Sequence, residues 1–302
     1  MNIFVAGGTG AIGIPLVRSL VAGGHQVTAL TRSTGKQAEL RALGATPAVA
    51  DALDRDALIA VVKAARPTHV IHQLTALPKD GVRRPADLET TNRLRIDGTR
   101  NLLEAAVNAG ARRFLAGSFA ILSARAGSVA PADDAAAAAV QSMESQVLDA
   151  SKRGVIEGVV LRYGLFYGLE TASTIAMIKM VRKRRLPVVR GDAGQLPLIH
   201  IDDAVGATIK ALDRAPAGST YDIVDDQAVS MTELVHALAE YTGSAAPFKV
   251  PAWLPRLVAP YLARVTSVRM PLSNDKAKAE LGWRPRYPTM REGLAQMFPH
   301  AA

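Results

Sequence analysis

Short runs of apolar residues alternate with amphipathic segments along the first half of the chain. Residues 3–6 are apolar throughout, and a glycine cluster separates them from residues 11–22, which carry apolar side chains at helical spacing. The same pattern predicts further strands at residues 26–30, 46–50, 68–73, 113–117 and 155–163. It predicts further helices at residues 36–43, 54–65, 90–108 and 133–150. Because strands that are apolar throughout need cover on both faces, this alternation predicts an α/β fold with a doubly wound parallel sheet.

The pattern loosens from about residue 164 onward. Proline becomes frequent, and short helices such as residues 231–241 alternate with isolated strands. We therefore divide the chain into a core, residues 1–165, and a smaller C-terminal lobe, residues 166–302. Some segments of this lobe are expected to return to the core.

The composition is that of a globular chain, with 302 residues of which 49% are hydrophobic and 21% charged. The absence of cysteine excludes disulfides, thiolate metal sites and thiol nucleophiles, and no metal is expected. The apolar runs are too short to span a bilayer, so no membrane partner is expected. The N-terminus enters the first strand without a basic segment or a cleavage site, which predicts a cytoplasmic protein.

The net charge of +9 would allow nucleic acid, acidic lipid or a phosphate-bearing ligand as partner. The dense basic run, residues 182–185, has no interleaved aromatic residue for base stacking. It is interpreted as a solvated helix end, and nucleic-acid binding is not expected.

A glycine turn follows the first strand and opens the first helix. Gly7, Gly10 and Gly13 are spaced by three in the run Gly-Gly-Thr-Gly-Ala-Ile-Gly. Glycines at these positions allow a tight turn and let a pyrophosphate approach the amides at the helix N-terminus. The position therefore predicts a Rossmann dinucleotide site, to which the turn also contributes Thr9, Ala11 and Ile12.

The end of the second strand indicates which dinucleotide is bound. An acidic residue there would accept hydrogen bonds from the ribose of NAD, but this chain has Thr31, Arg32 and Ser33, followed by Lys36. A guanidinium can hold the 2′-phosphate of NADP by charge-assisted hydrogen bonds. We therefore predict NADP(H) as cofactor, with a solvated surface role for Arg32 as the alternative.

Later motifs carry a family resemblance over nearly the whole chain. They are Asp51-Ala52, Val70-Ile71-His72, Gly98-Thr99-Arg100-Asn101-Leu102-Leu103-Glu104-Ala105-Ala106, Leu161-Arg162-Tyr163-Gly164-Leu165-Phe166-Tyr167-Gly168, His200-Ile201-Asp202-Asp203-Ala204 and Leu281-Gly282-Trp283-Arg284-Pro285. With the glycine turn before them, these motifs resemble the extended short-chain dehydrogenase/reductase superfamily. The resemblance is to its NAD(P)-dependent epimerase/dehydratase group, particularly the atypical members.

The resemblance implies a set of cofactor contacts. Asp51 and Ala52 would lie at the adenine, and Tyr163 near the nicotinamide. Three residues beyond the fourth strand would line the dinucleotide, namely Gln73, Leu74 and Thr75. Asp202 and Asp203 are expected to cap the following helix.

The chain departs from the family where catalysis is expected. The family's catalytic Tyr and Lys would match Ala136 and Val140, and its catalytic Ser or Thr would match Phe119. The polar residue that helps hold a nucleotide-sugar phosphate is replaced by Leu165. A proton donor must therefore come from elsewhere, and the candidates are Tyr163, Tyr167 and Ser118. Ser118 is also assigned to the cofactor site.

These observations predict an NADP(H)-dependent oxidoreductase that reduces a carbonyl or an activated double bond of a small, mainly apolar substrate. The C-terminal lobe would bind this substrate, and the pocket walls would come from Phe119, Leu122, Leu165, Phe166 and Met177. A dinucleotide-sensing protein without catalysis is the first alternative, because the catalytic pair is missing. An epimerase or dehydratase ranks below both. The resemblance suggests a homodimer through residues 90–108 and 133–150, although these faces could also pack within one chain.

Overall fold

The computed structural model describes residues 1–78, 81–82, 84–126, 134–191, 194–258 and 272–298. Its strands are β1 (Asn2–Ala6), β2 (Gln26–Thr31), β3 (Thr46–Val49), β4 (His69–His72), β5 (Arg113–Phe119), β6 (Glu157–Tyr163), β7 (Leu165–Tyr167), β8 (Val188–Val189), β9 (Leu198–His200), β10 (Thr220–Ile223) and β11 (Lys249–Val250). Its α-helices are α1 (Gly13–Ala22), α2 (Gln37–Ala42), α3 (Arg55–Ala65), α4 (Glu89–Arg93), α5 (Thr99–Asn108), α6 (Ala120–Ala126), α7 (Ala135–Lys152), α8 (Ala172–Arg182), α9 (Ile201–Arg214), α10 (Met231–Tyr241), α11 (Trp253–Val258), α12 (Asp275–Leu281) and α13 (Met290–Met297).

Seven strands form one parallel sheet in the order β10-β6-β5-β4-β1-β2-β3. The chain winds outward from β1 in both directions, so the strand order reverses between β1 and β4. Ligands of such sheets bind beyond the carboxyl ends of the strands at this reversal. The predicted doubly wound α/β fold is confirmed, and the region beyond the carboxyl ends of β1 and β4 is where a site is expected.

Alternate residues of the strands enter two separate cores. Ile3 and Val5 of β1 pack with side chains of α1, α9 and α12 on one face of the sheet. Phe4 and Ala6 pack with side chains of α3, α5 and α7 on the other face. Because both faces are covered by helices, the central strands are apolar at every position, which is the pattern seen in the sequence.

The helix predicted over residues 90–108 is wrong in one respect. A π-helical turn, Leu94–Gly98, separates α4 from α5. A π turn inserts one extra residue into the helix, and here it carries the buried Leu94 and Arg95. The predicted start of the next long helix at Asp133 lies outside the described residues, and α7 is capped by Asp134, which accepts from the amide of Ala137 at 3.1 Å.

The expectation that Asp202 and Asp203 cap α9 is also wrong. The ring of His200 caps this helix, because its Nδ1 accepts from the amide of Asp202 at 3.3 Å. Asp203 is buried and accepts from the amides of Arg286 and Tyr287 at 2.6 and 3.0 Å. Asp203 therefore holds the C-terminal segment against α9 rather than closing the helix end.

Residues 166–302, the predicted C-terminal lobe, supply most of a third hydrophobic core and one strand of the main sheet. Strand β10 pairs with β6 and forms the edge of the sheet. The lobe's core packs side chains of α8, α10 and α13 around Ile178, Leu234 and Leu294. The described residues contain no helix that is both long and apolar enough to cross a membrane.

Candidate cofactor and substrate site

Two of the three glycines in the turn are required because a side chain at either position would clash with the backbone. Gly7 has φ +92°, and a Cβ there would lie 2.5 Å from the carbonyl oxygen of Gln73. A Cβ on Gly13 would lie 2.1 Å from the carbonyl oxygen of Gly7. A Cβ on Gly10 would have one neighbouring atom within 4 Å, the carbonyl oxygen of Gly7 at 3.2 Å, so the space beside this glycine is largely open. Gly7 and Gly13 are required to close the turn, whereas Gly10 leaves room for an incoming group.

Helix α1 begins three residues after Gly10, and its N-terminus has no side-chain cap. Ile12 precedes the helix, and no side chain accepts a hydrogen bond from its first amides. Uncapped amides at a helix N-terminus favour an anionic ligand through hydrogen bonds and the helix dipole. The turn and α1 together fit a pyrophosphate group.

A cleft of about 170 Å³ lies at the carboxyl ends of β1, β2 and β4. Nine predicted cofactor residues line it, namely Gly7, Thr9, Gly10, Thr31, Arg32, Ala52, Gln73, Leu74 and Thr75. The lining also includes three apolar residues that the sequence reasoning missed, namely Leu30, Ala50 and Leu94. Leu30 and Ala50 are the last residues of predicted strands and could have been found, whereas Leu94 reaches the cleft from the π turn.

Other predicted cofactor residues lie beside the cleft without lining it. Ala11, Ile12 and Gly13 lie at the start of α1, and Ser33 is exposed, with its amide donating to Thr31 Oγ1 at 3.2 Å. The Oδ1 atom of Asp51 accepts from the amide of Leu53 at 2.9 Å. The predicted contact of Asp51 with adenine stays a prediction.

A larger groove of about 760 Å³ lies at the other end of the sheet. Asn2, Gln26 and Thr46, which begin β1, β2 and β3, are among its lining residues. Ligands of doubly wound sheets bind at the carboxyl ends of the strands, so this groove is not taken as the site despite its size.

Arg32 lies where the cleft opens at the end of β2. Its side chain is exposed, and it forms no ion pair among the described residues. Lys36, four residues further on, is paired with Glu39 at 2.7 Å. Arg32 is therefore the cation that the cleft presents at its β2 end.

The hydroxyl of Tyr163 is bonded inside the protein. It accepts from Gln73 Nε2 at 3.0 Å and lies 2.7 Å from Thr208 Oγ1. The side chain is 3% exposed, and burial raises the pKa of Tyr163 to about 12. This phenol is a poor acid with an internal partner on either side.

Ser118 and Tyr167 are also bonded internally. Ser118 Oγ donates to Glu144 Oε1 at 2.5 Å, and the same carboxylate pairs with Arg162 at 2.6 Å. Tyr167 is 1% exposed, and its hydroxyl donates to the carbonyl oxygen of Thr289 at 3.4 Å. Burial raises the pKa of Tyr167 strongly. The structure places the three candidate hydroxyls in separate internal networks and does not bring them together at the cleft.

The positions predicted to match the family's catalytic pair are apolar and buried. Ala136 and Val140 face the same way on α7 as Glu144, and they pack with Leu88 and Leu122 in a small cluster that Phe119 borders. The remaining predicted pocket residues, Leu165, Phe166 and Met177, are half-buried. Phe119, Leu165 and Met177 pack against the lobe's core. The Phe166 ring is tilted by 50° relative to the Tyr163 ring, with the two ring centroids 5.3 Å apart.

Comparison with known proteins shows the family of this chain. The profile of the NAD dependent epimerase/dehydratase family matches residues 3–224. The chain belongs to this family. The predicted family resemblance is confirmed, and the chain is an NAD(P)-dependent oxidoreductase enzyme of the extended short-chain dehydrogenase/reductase type. The sensor hypothesis has no support from these comparisons.

Individual relatives match nearly the whole length of this chain. A Streptomyces protein named 3-diazoavenalumate denitrifying reductase is 38% identical, covering 98% of this chain and 100% of the relative. A Stigmatella aurantiaca protein, named 4-hydroxy-2-methyl-3-oxo-4-farnesyl-3,4-dihydroquinoline-1-oxide ketoreductase, is 27% identical, covering 97% of this chain and 95% of the relative. The crystal structure of Thermus thermophilus UDP-glucose 4-epimerase in complex with NAD is 25% identical, with a TM-score of 0.77, covering 100% of this chain and 99% of that one.

Proposed function

We propose that this protein is an NADP(H)-dependent reductase of a small, mainly apolar aromatic substrate, and that its hydride acceptor needs no proton from the enzyme. The observation that carries the cofactor choice is Arg32, a cation at the β2 end of the cleft where NAD enzymes present a carboxylate. The observation that carries the acceptor choice is the apolar cluster at Ala136 and Val140.

The residues present fit the cofactor. The open side of Gly10 and the uncapped start of α1 would hold the pyrophosphate. Arg32 would hold the 2′-phosphate, and Ala50 and Ala52 would give the adenine apolar walls. When bound, the reduced nicotinamide supplies a hydride. Phe119, Leu122 and Leu165 would exclude water from the substrate beside it.

The substrate class follows from the missing proton donor. A ketone that gains a hydride becomes an alkoxide, which requires a proton or a hydrogen-bond donor. An aryl diazonium carbon needs neither, because a C–H bond forms while the C–N bond breaks and its electron pair leaves with dinitrogen. The reductase from Streptomyces, whose name describes denitrification of a diazo compound, supports this class.

A carbonyl or enone substrate remains the second candidate. The Stigmatella relative named as a ketoreductase favours it. Such a reaction would need one of the three candidate hydroxyls, Tyr163, Ser118 or Tyr167, to leave its internal partner. The diazonium reaction needs no such rearrangement, so we place it first.

The substrate class is tested with deuterated NADPH. The protein is incubated with a stable arenediazonium salt and NADPH that carries deuterium on either the pro-R or the pro-S position of C4. We expect deuterium at the arene carbon from one of the two labelled cofactors, together with dinitrogen release. Equal transfer from both, at the rate without protein, would refute the diazonium assignment, and turnover of an aryl ketone alone would favour the second candidate.

The cofactor choice is tested at Arg32. Charge-assisted hydrogen bonds to a phosphate contribute about 1.5–3 kcal/mol, so Arg32→Ala is expected to lower the preference for NADPH over NADH by about 10–100-fold. The control is Arg18→Ala, which removes an exposed guanidinium from α1. An unchanged preference in Arg32→Ala would contradict the assigned role.

A further inference from the structure

The side-chain amide of Gln73 packs closely against the backbone of β5 at Gly117. A Cβ on Gly117 would lie 2.1 Å from Gln73 Oε1, 2.8 Å from its Cδ and 3.0 Å from its Nε2. Any side chain at position 117 would therefore expel this amide. Gly117 has an ordinary strand conformation, so the close approach of Gln73 is the structural reason for a glycine here.

A chain of hydrogen bonds fixes which end of the amide faces inward. Thr208 Oγ1 donates to the carbonyl oxygen of Ala204 at 2.7 Å, which uses the one hydroxyl proton of Thr208. The contact of 2.7 Å between Thr208 and Tyr163 must then have the Tyr163 hydroxyl as donor. With its proton used, the Tyr163 oxygen accepts, and it accepts from Gln73 Nε2 at 3.0 Å. The amide nitrogen thus points to Tyr163, and Oε1 points away from it.

The side-chain oxygen of Gln73 has no hydrogen-bond partner among the described residues. Gln73 lines the cleft, and none of the hydrogen bonds among the described residues uses its Oε1 atom. This oxygen is not among the atoms that are closed off from solvent without a partner. It is an acceptor of fixed orientation, available to a donor from outside the chain.

The position along the sheet indicates which part of a dinucleotide meets this acceptor. Arg32 follows β2, the glycine turn follows β1, and Gln73 follows β4, so these three lie in that order across the sheet. A dinucleotide with its 2′-phosphate at Arg32 and its pyrophosphate at the glycine turn has its other nucleoside beyond β4. The amide group of nicotinamide offers N–H donors, which match a carbonyl acceptor.

We infer that Gln73 is a positioning residue that orients the nicotinamide end of the cofactor, and that Tyr163 and Thr208 act through it by fixing its amide. This inference rests on the proposed dinucleotide site. It gives Tyr163 a role that does not require it to donate a proton. It also gives a reason for the side chain of Gln73 to lie over Gly117.

The test compares NADP⁺ with 2′-phospho-ADP-ribose, which has no nicotinamide. In Gln73→Leu, we expect NADP⁺ to bind about 2–10-fold more weakly, the loss of one hydrogen bond, while 2′-phospho-ADP-ribose binds as it does to the wild type. Binding is measured by isothermal titration calorimetry, and Gln26→Leu, at an exposed glutamine beginning β2, is the matched control. Equal weakening of both ligands, or of neither, would overturn the inference.

The action through Tyr163 has its own measurement. Tyr163→Phe removes the hydroxyl that holds the Gln73 amide. Binding of NADP⁺ should therefore weaken, by no more than in Gln73→Leu, while binding of 2′-phospho-ADP-ribose should not change. The double variant should bind NADP⁺ like Gln73→Leu, because the two residues act as one unit. Additive losses would contradict the role of Tyr163. If the wild type binds neither ligand, the proposed function itself fails, which is a result distinct from all of these.

Discussion

Replacing Asp225 with asparagine is expected to stabilise the protein at neutral and alkaline pH. Asp225 follows β10 and is 5% exposed, and neither of its carboxyl oxygens has a hydrogen-bond partner among the described residues. The groups around it are Tyr167, His200 and the carboxyls of Asp203 and Asp226. Burial raises the pKa of Asp225 to about 7. Asparagine has nearly the same shape but never becomes charged.

The magnitude follows from the difference between the folded and unfolded pKa. The ordinary value is 3.8, so the raised pKa corresponds to about 4 kcal/mol lost when the carboxyl is fully ionised. Because the folded pKa is the higher one, this stability is present below about pH 4 and is lost as pH rises through 7. About 3 kcal/mol of the loss falls between pH 5 and pH 8.

The assay is urea unfolding of the wild type and Asp225→Asn at pH 5 and pH 8. The variant should gain stability relative to the wild type by about 3 kcal/mol between these two pH values. Asp226→Asn is the control, because the pKa of Asp226 lies below its usual value. Partial burial alone would raise this pKa, but the hydrogen bonds from Asn274 and Lys278 outweigh that effect. This control variant should not gain stability as pH rises. A difference between wild type and Asp225→Asn that does not change with pH would refute the reasoning.

Three further predictions concern the glycine turn, the ion pair between Glu144 and Arg162, and a helix cap. Gly13→Ala would bring a Cβ to 2.1 Å from a backbone oxygen, so both the melting temperature and the affinity for NADPH should fall. Gly10→Ala should keep the melting temperature of the wild type and lose affinity for NADPH. Binding is measured by NADPH fluorescence, and retained binding in both variants would contradict the role assigned to the turn. Glu144→Gln removes the charge that pairs with the guanidinium of Arg162 and should lower the free energy of unfolding in urea by about 2–3 kcal/mol. An effect no larger than that of an ordinary surface substitution would count against the ion pair. Ser230→Ala removes the cap of α10 and should cost about 1 kcal/mol in the same assay with NADPH affinity unchanged.

Much of the fold could be predicted because local signals agreed with the tertiary contacts. The helix predicted at residues 231–241 is α10 at the same residues, since Ser230 and Glu233 form a capping box directly before and within it. The predicted first strand, residues 3–6, differs from β1 by one residue. The helix predicted over residues 90–108 agrees in extent, but the sequence does not reveal the π turn at Leu94–Gly98 within it.

The site divides in the same way. The glycine turn and Arg32 could be predicted because a strand, a turn and a helix that follow one another in the chain already define where they lie. The states of Ser118 and Tyr163 could not, because their partners Glu144 and Thr208 are 26 and 45 residues away. A hydroxyl that is a candidate acid in the sequence becomes a bonded internal group once those partners are in place.

The sequence by itself determined the alternation of strands and helices, the position of the glycine turn and the cation after the second strand, because each depends on neighbouring residues and on the period of apolar side chains. Only the tertiary structure decided that Asp203 holds the C-terminal segment, that His200 caps α9 and that the Gln73 amide lies over Gly117. The reason is physical. Hydrogen-bond partners and close approaches are set by how strands and helices pack across the sheet, and the spacing of residues along the chain carries no record of those distances.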